Sequence, residues 1–258
     1  MKITILGSGT SVGVPQIGCT CKVCTSSDPR DKRLRCSGLM ETNGVRVLID
    51  CGPDFREQML RLNDFRPIDG VLVTHEHYDH VGGLDDLRPF CSFREIPVCA
   101  EDYVADRLQS RMPYCFVKHP YPGIPHIPLT RLRAGESFAL SNGEGRRVEI
   151  MPFRVLHGQL PILGYRIGQM AWITDMLTLP EESYSYLQGL DCLIMNALRF
   201  EKHWTHQSLS EALEKAKRIG ARETYFIHMS HDIGLHAETS ALLPEHIHLA
   251  YDGMEIML

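Results

Sequence analysis

No stretch of this sequence approaches the ~18 consecutive apolar residues that a membrane span requires, so no transmembrane helix and no membrane partner is expected. Positive charge is not in excess either. The chain carries 27 Lys and Arg against 32 Asp and Glu, a formal net charge of −5, which argues against stable nucleic-acid binding through a broad basic face. The opening Met-Lys-Ile-Thr-Ile-Leu-Gly-Ser-Gly breaks too soon for the apolar region of a secretion signal. Nine cysteines, an odd number without an export signal, read as reduced thiols rather than a disulfide framework. A cytoplasmic location follows as the expectation. There is no internal repeat and no low-complexity tract, so residues 1–258 read as one domain long enough to bury its own core.

What the chain has is a succession of short β-type runs: Ile3–Leu6, Val45–Ile49, Val71–Thr74, Arg147–Ile150, Arg154–Leu156, Gly164–Ile167, Ala171–Thr174, Asp191–Met195 and Thr224–Ile227. Helical patterns lie between them. Phe55, Met59 and Leu62 share one face of residues 54–62, and Val104, Leu108 and Met112 share another. The strongest helix is Ser208–Ile219, with Leu209, Ala212, Leu213 and Ala216 on one side and Ser208 with Glu211 as a capping box. The alternation predicts a layered α/β domain. The segment His119–Pro128 contains four prolines and can be neither helix nor central strand, which leaves a surface connection or a rim over a site.

Histidine is where the composition becomes chemical. Of 13 histidines in 258 residues, three fall in the six-residue run His75-Glu-His77-Tyr-Asp79-His80. The run follows a β stretch, so His75 and His77, two apart in extended chain, can point to one side. Three further β runs end in a metal-binding type: His157, Asp175 and His228. Four strand ends delivering His or Asp suit zinc, manganese or iron, because a loop can aim a side chain while the strand holds it.

Together with Leu48-Ile-Asp50-Cys-Gly52 upstream, this pattern resembles the metallo-β-lactamase superfamily. The resemblance implies an αββα sandwich carrying two divalent metals at one edge. It implies His75, His77 and His157 on one ion, Asp79, His80 and His228 on the other, Asp175 between them, and Asp50 as a support rather than a ligand.

A second cluster, Cys19-x-Cys21-x-x-Cys24, offers three thiolates and needs a fourth ligand to close a structural zinc site. Cys36, Cys51 or a histidine could supply it, and the spacing His228-x-x-His231 suggests His231. Cys36-Ser-Gly and His206-Gln-Ser extend the resemblance to the PhnP family of cyclic-phosphate phosphodiesterases, with part of the pattern shared by the PqqB proteins. That resemblance implies hydrolysis of a small cyclic phosphate, 5-phosphoribosyl 1,2-cyclic phosphate before 2′,3′-cyclic nucleotides. It implies His206 and Asp79 as catalytic residues, two exchangeable catalytic metals (Mn, Zn or Fe), one structural Zn and a homodimer. A tRNase Z-like nuclease and a non-catalytic PqqB-like metal protein are the rival expectations. Arg35, Arg88, Arg199 and Lys202 are the cations available for a distal phosphate.

Overall fold

The computed structural model describes residues 1–117 and 123–258. Its strands are β1 (Lys2–Gly7), β2 (Ser37–Thr42), β3 (Val45–Ile49), β4 (Gly70–Leu72), β5 (Val98–Glu101), β6 (Leu129–Leu132) and β7 (Phe138–Ser141). The second half adds β8 (Arg147–His157), β9 (Leu160–Ile167), β10 (Met170–Ile173), β11 (Cys192–Asn196), β12 (Glu223–Ile227), β13 (Ile247–Leu249) and β14 (Glu255–Met257). They form two seven-stranded sheets, ordered β14-β1-β2-β3-β4-β5-β6 and β13-β12-β11-β10-β9-β8-β7. The helices are α1 (Phe55–Leu62), α2 (Tyr78–Val81), α3 (Asp102–Arg111), α4 (Leu209–Ile219) and α5 (His236–Ser240).

Period-two side-chain alternation sorts the core into layers. Val45, Val47 and Ile49 of β3 face Tyr165, Trp172 and Ile194 of the other sheet. Leu48, between them, turns outward to Phe55, Met59 and Val104 of α1 and α3. On the far side, Leu193 and Met195 pack on Leu209, Ala212 and Ala216 of α4. Each sheet is therefore buried on both faces, giving the expected four-layer αββα sandwich. The sheets approach closely at Gly38, where a Cβ would stand 2.5 Å from the Trp172 ring.

Several sequence expectations need redrawing. Arg147–Ile150 and Arg154–Leu156 are one strand, β8, through the intervening Pro152. Val71–Thr74 is shorter, because the Thr74 N–H leaves the ladder and donates to Asp50 Oδ1 at 2.8 Å. In the Pro-rich segment, residues 119–122 lie outside the described residues. Its remainder runs beside β5, His126 and Pro128 accepting from the Ile96 and Val98 N–H groups. No helix among the described residues is long and apolar enough to cross a membrane.

One half of each sheet is parallel: β3-β4-β5-β6 and β10-β11-β12-β13. Parallel neighbours need crossovers, supplied in part by α1 and α4, so their carboxyl ends gather at one edge. That edge carries the polar cluster.

Candidate metal centre

The cluster forms where four chain segments leave strands at the same edge. Asp50 follows β3, Asp175 lies two residues past β10, His228 follows β12, and His157 ends β8. Asp50, Asp175 and His228 have φ of 57°, 54° and 56°, the left-handed region that non-glycine residues seldom occupy. Three such turns at one edge aim three functional side chains inward, and backbone strain of this kind gathers at functional sites. Gly52 is required for a different reason: a Cβ there would meet the Asp79 carbonyl oxygen at 2.1 Å.

Two groups of donors result. His75, His77 and His157 place their ligand atoms within 4.8 Å of one another, and so do Asp79, His80, Asp175 and His228. Asp175 joins the groups, since it also lies in a third set with His157 and His206. His80 Nε2 is 3.1 Å from Asp79 Oδ2 and 3.2 Å from Asp175 Oδ2, while His228 Nε2 is 3.1 Å from Asp175 Oδ1. A cation about 2.1 Å from each N or O atom sets such edges near 3.0–3.4 Å.

The hydrogen bonds decide which ring nitrogen is free. His80 Nδ1 donates to Asp50 Oδ2 at 2.7 Å, and His157 Nδ1 donates to the Thr205 carbonyl at 2.9 Å. The Thr74 hydroxyl donates to Asp50 Oδ2 at 2.8 Å, so its oxygen accepts from His75 Nδ1 at 3.0 Å. Each of these rings keeps Nε2 as its free lone pair, the arrangement in which outer partners orient metal-binding imidazoles. The Nε2 atoms of His75, His80 and His228 are buried without a hydrogen-bond partner. Buried orphan acceptors of this kind ask for a cation. Burial works against charge on His80, yet Asp79, Asp175 and Asp50 around it outweigh burial and raise its pKa, so these carboxylates favour positive charge at Nε2, which a metal ion would supply in place of a proton. The donor set thus fits divalent metals.

The cysteine cluster closes with His231. His231 Nδ1 lies 3.2, 3.3 and 3.5 Å from Sγ of Cys19, Cys21 and Cys24. A tetrahedral zinc would place nitrogen and sulfur about 3.6 Å apart. The Cys24 N–H and His231 beside Cys21 bring its thiol down to about 6, whereas burial pushes Cys24 up to about 11. Cys36 and Cys51, the other candidates for the fourth ligand, are buried in the sheet cores instead.

Residues 45–229 match the family described as the beta-lactamase superfamily domain. The chain belongs to the metallo-β-lactamase superfamily. A crystal structure of a diphosphatase from the PhnP family is 40% identical and covers 99% of this chain and 96% of its own, with a TM-score of 0.88. Zinc-bound PqqB from Methylobacterium extorquens shares the fold at 19% identity and TM-score 0.81, each chain covered completely. A curated relative from Porphyromonas gingivalis, named octanoyltransferase, is 46% identical over the whole chain, which spans only 52% of that relative's length. Membership of this superfamily implies divalent metals, and the PhnP-family neighbour supports a metal-dependent hydrolase.

His206 stands beside the superfamily's metal edge. Its ring centroid is 4.5 Å from that of His157 and 5.0 Å from that of His228, and its Nδ1 lies 3.7 Å from Asp175 Oδ1. Burial drives its pKa down to about 3, so the ring is neutral at neutral pH. Of the distal cations, Arg35 is paired with Asp54 and Arg88 with Asp85.

Sequence reasoning missed the clamp that sets these loops. Asn196 Oδ1 accepts from the Met176 N–H at 2.8 Å, Asn196 Nδ2 donates to the Met176 carbonyl, and the Gln207 N–H donates to that same carbonyl. This ties the residue after Asp175 to the residue after His206. The signal was available: β11, like β8, ends in a buried polar residue.

Proposed function

We propose that this chain is a two-metal phosphodiesterase that opens a small cyclic phosphate on a ribose. The carrying observation is the pair of donor groups linked through Asp175, which belongs to one and lies in a further set with His157 of the other, with His206 at their margin. Two divalent cations there supply Lewis acidity toward phosphoryl oxygens and a water of lowered pKa.

The chain's own residues do the rest. Asp50 and Thr74 fix the tautomers of His80 and His75, and the Thr205 carbonyl fixes that of His157. Burial opposes a charge on Asp79, but His80 and His228 beside it hold its carboxyl well below the usual range, so it stays ionised. His206, neutral and able to donate one N–H, is placed to hydrogen-bond the leaving oxygen as charge develops there. A neutral ring suits charge stabilisation better than full proton donation.

Likeness to the PhnP-family diphosphatase supports hydrolysis at a phosphoryl group. The sequence resemblance is what puts 5-phosphoribosyl 1,2-cyclic phosphate first and 2′,3′-cyclic nucleotides second, and a diphosphate bond is the alternative that the relative's own name favours. The name octanoyltransferase belongs to a relative about twice as long, and acyl transfer finds little support in this chain's site. Cys36, beneath the cluster beside Thr174, is fully buried with its thiol pKa pushed up by that burial, the opposite of an activated nucleophile. The test is phosphorus NMR of metal-loaded protein with the ribosyl cyclic phosphate, a cyclic nucleotide and a linear diphosphate in separate tubes. Opening of either cyclic ester supports the reading, and cleavage of the diphosphate alone overturns it.

A further inference from the structure

Asn196, the last residue of β11, is wholly buried, and its side-chain amide is spent on backbone rather than on a metal ligand. Oδ1 accepts the Met176 N–H at 2.8 Å, and Nδ2 donates to the Met176 carbonyl at 3.0 Å. One side chain thus takes both polar groups of one residue, as the facing residue of an antiparallel strand would. Met176 follows the left-handed turn at Asp175, and such a turn persists only where its surroundings over-determine it. The same Met176 carbonyl accepts the Gln207 N–H at 3.0 Å, and the Gln207 carbonyl accepts from the Leu198 N–H at 3.1 Å. Gln207 Nε2 donates in turn to the Asn196 carbonyl. The residue after His206 is therefore pinned to the same clamp as the residue after Asp175.

The two functional side chains do not depend on that clamp equally. Asp175 is held in its own right. The Thr174 hydroxyl donates to its Oδ2 at 2.6 Å, and His80 and His228 stand 3.2 and 3.1 Å from its oxygens. His206 has no comparable support: its Nδ1 is buried without a hydrogen-bond partner among the described residues. Its ring stands where the Thr205 and Gln207 backbone puts it. A displacement of about 1 Å in a group that assists a reaction can cost ~10²-fold in rate.

We infer that Asn196 is a positioning residue, which registers His206 against Asp175 and so against the metal edge. It acts through the Met176 and Gln207 backbone, and the inference rests on the reading of His206 as the group that assists the leaving oxygen. A tie that merely joined β10 to β11 would be felt by every substrate alike. A register acting on His206 is felt only where His206 is needed.

Asn196→Asp keeps the size and the acceptor for the Met176 N–H, but sets a second carboxylate oxygen against the Met176 carbonyl. Gln207→Met removes only the side-chain donor to the Asn196 carbonyl and is the milder probe, should the first variant fold poorly. At saturating metal, kcat on a cyclic ribose phosphate should fall ~10- to 100-fold for Asn196→Asp and ~3- to 10-fold for Gln207→Met. A nitrophenyl phosphodiester should change less than about two-fold, and in the His206→Ala background neither substitution should cost either ester more than about two-fold. A second readout needs no turnover. In zinc-loaded protein carrying isotope-labelled histidine, the His206 ring signals are identified by their loss in His206→Ala. They should move in Asn196→Asp while those of His75 and His77 stay in place. Equal losses on the two esters, a loss that persists without His206, or unmoved His206 signals overturn the inference. If the wild type turns over no phosphoester, the phosphodiesterase reading fails, and the ring signals still decide whether Asn196 places His206.

Discussion

His80 Nδ1 donates to Asp50 Oδ2 at 2.7 Å, and both side chains are wholly enclosed. Asp50 accepts at the same time from the Thr74 N–H and hydroxyl, so one carboxylate sets the orientation of two neighbouring imidazoles. Asp50→Asn keeps the shape and tolerates the left-handed backbone but loses the charge and one acceptor. The variant should fold, keep its cysteine-site zinc and bind the exchangeable metals ~10- to 100-fold more weakly. Metal analysis after dialysis against graded chelator checks it, and unchanged retention contradicts the supporting role.

Cys21→Ser should act through the fold. A closed thiolate site contributes folding free energy, so zinc stoichiometry and melting temperature should fall first and turnover only as a consequence. The two sites are joined through the short segment from His228 to His231. A variant with full zinc and unchanged melting temperature that loses only turnover would place the cysteines in the chemistry.

His206→Ala should leave metal content and melting temperature unchanged, because the two donor groups holding the strand-end ligands are complete without it. Its kcat on a cyclic ribose phosphate should fall ~10²–10⁴-fold. The loss should shrink on a nitrophenyl phosphodiester, whose leaving group needs little help. Equal losses on both substrates would make His206 a packing residue.

The pH dependence of stability has a distinct source in His236. Its Nδ1 accepts from Arg33 Nη2 at 3.3 Å, and burial together with Arg33 and Arg30 lowers its pKa to about 4 despite nearby Asp28 and Asp31. In the unfolded chain the imidazole takes up a proton near its ordinary 6.5. The unfolded state therefore binds more protons between those values, and stability falls as pH drops from about 6.5 toward about 4. The contribution lost between pH 7 and 5 is about 2 kcal/mol. Urea midpoints of the wild type and His236→Gln at both pH values check this. An identical pH dependence in the two proteins would contradict it.

Local signals carried much of this architecture. The capping box of Ser208 and Glu211 is a contact between near neighbours, and the structure shows both of its hydrogen bonds. The strand-end ligands were visible because each interrupts an apolar run with a His or Asp. Strands β2 and β14 were not, since Ser37–Thr42 and Glu255–Met257 owe their pairing to β1, distant in sequence. His231 could be proposed from its spacing to His228, but only the fold removes Cys36 and Cys51 from contention by burying them in the sheets. Asn196 was passed over because it is an ordinary residue in a decisive place, its two hydrogen bonds to Met176 being contacts between distant parts of the chain.

The central claim is that the two donor groups, linked through Asp175 and His157, act as one hydrolytic centre for a cyclic phosphate ester. Stripping the exchangeable metals and titrating Mn²⁺ or Zn²⁺ back while following cyclic ester opening tests it most directly. Activity should rise to a break at two equivalents per chain, with the cysteine-site zinc retained throughout. Full activity with no exchangeable metal restored, or at one equivalent, would contradict it.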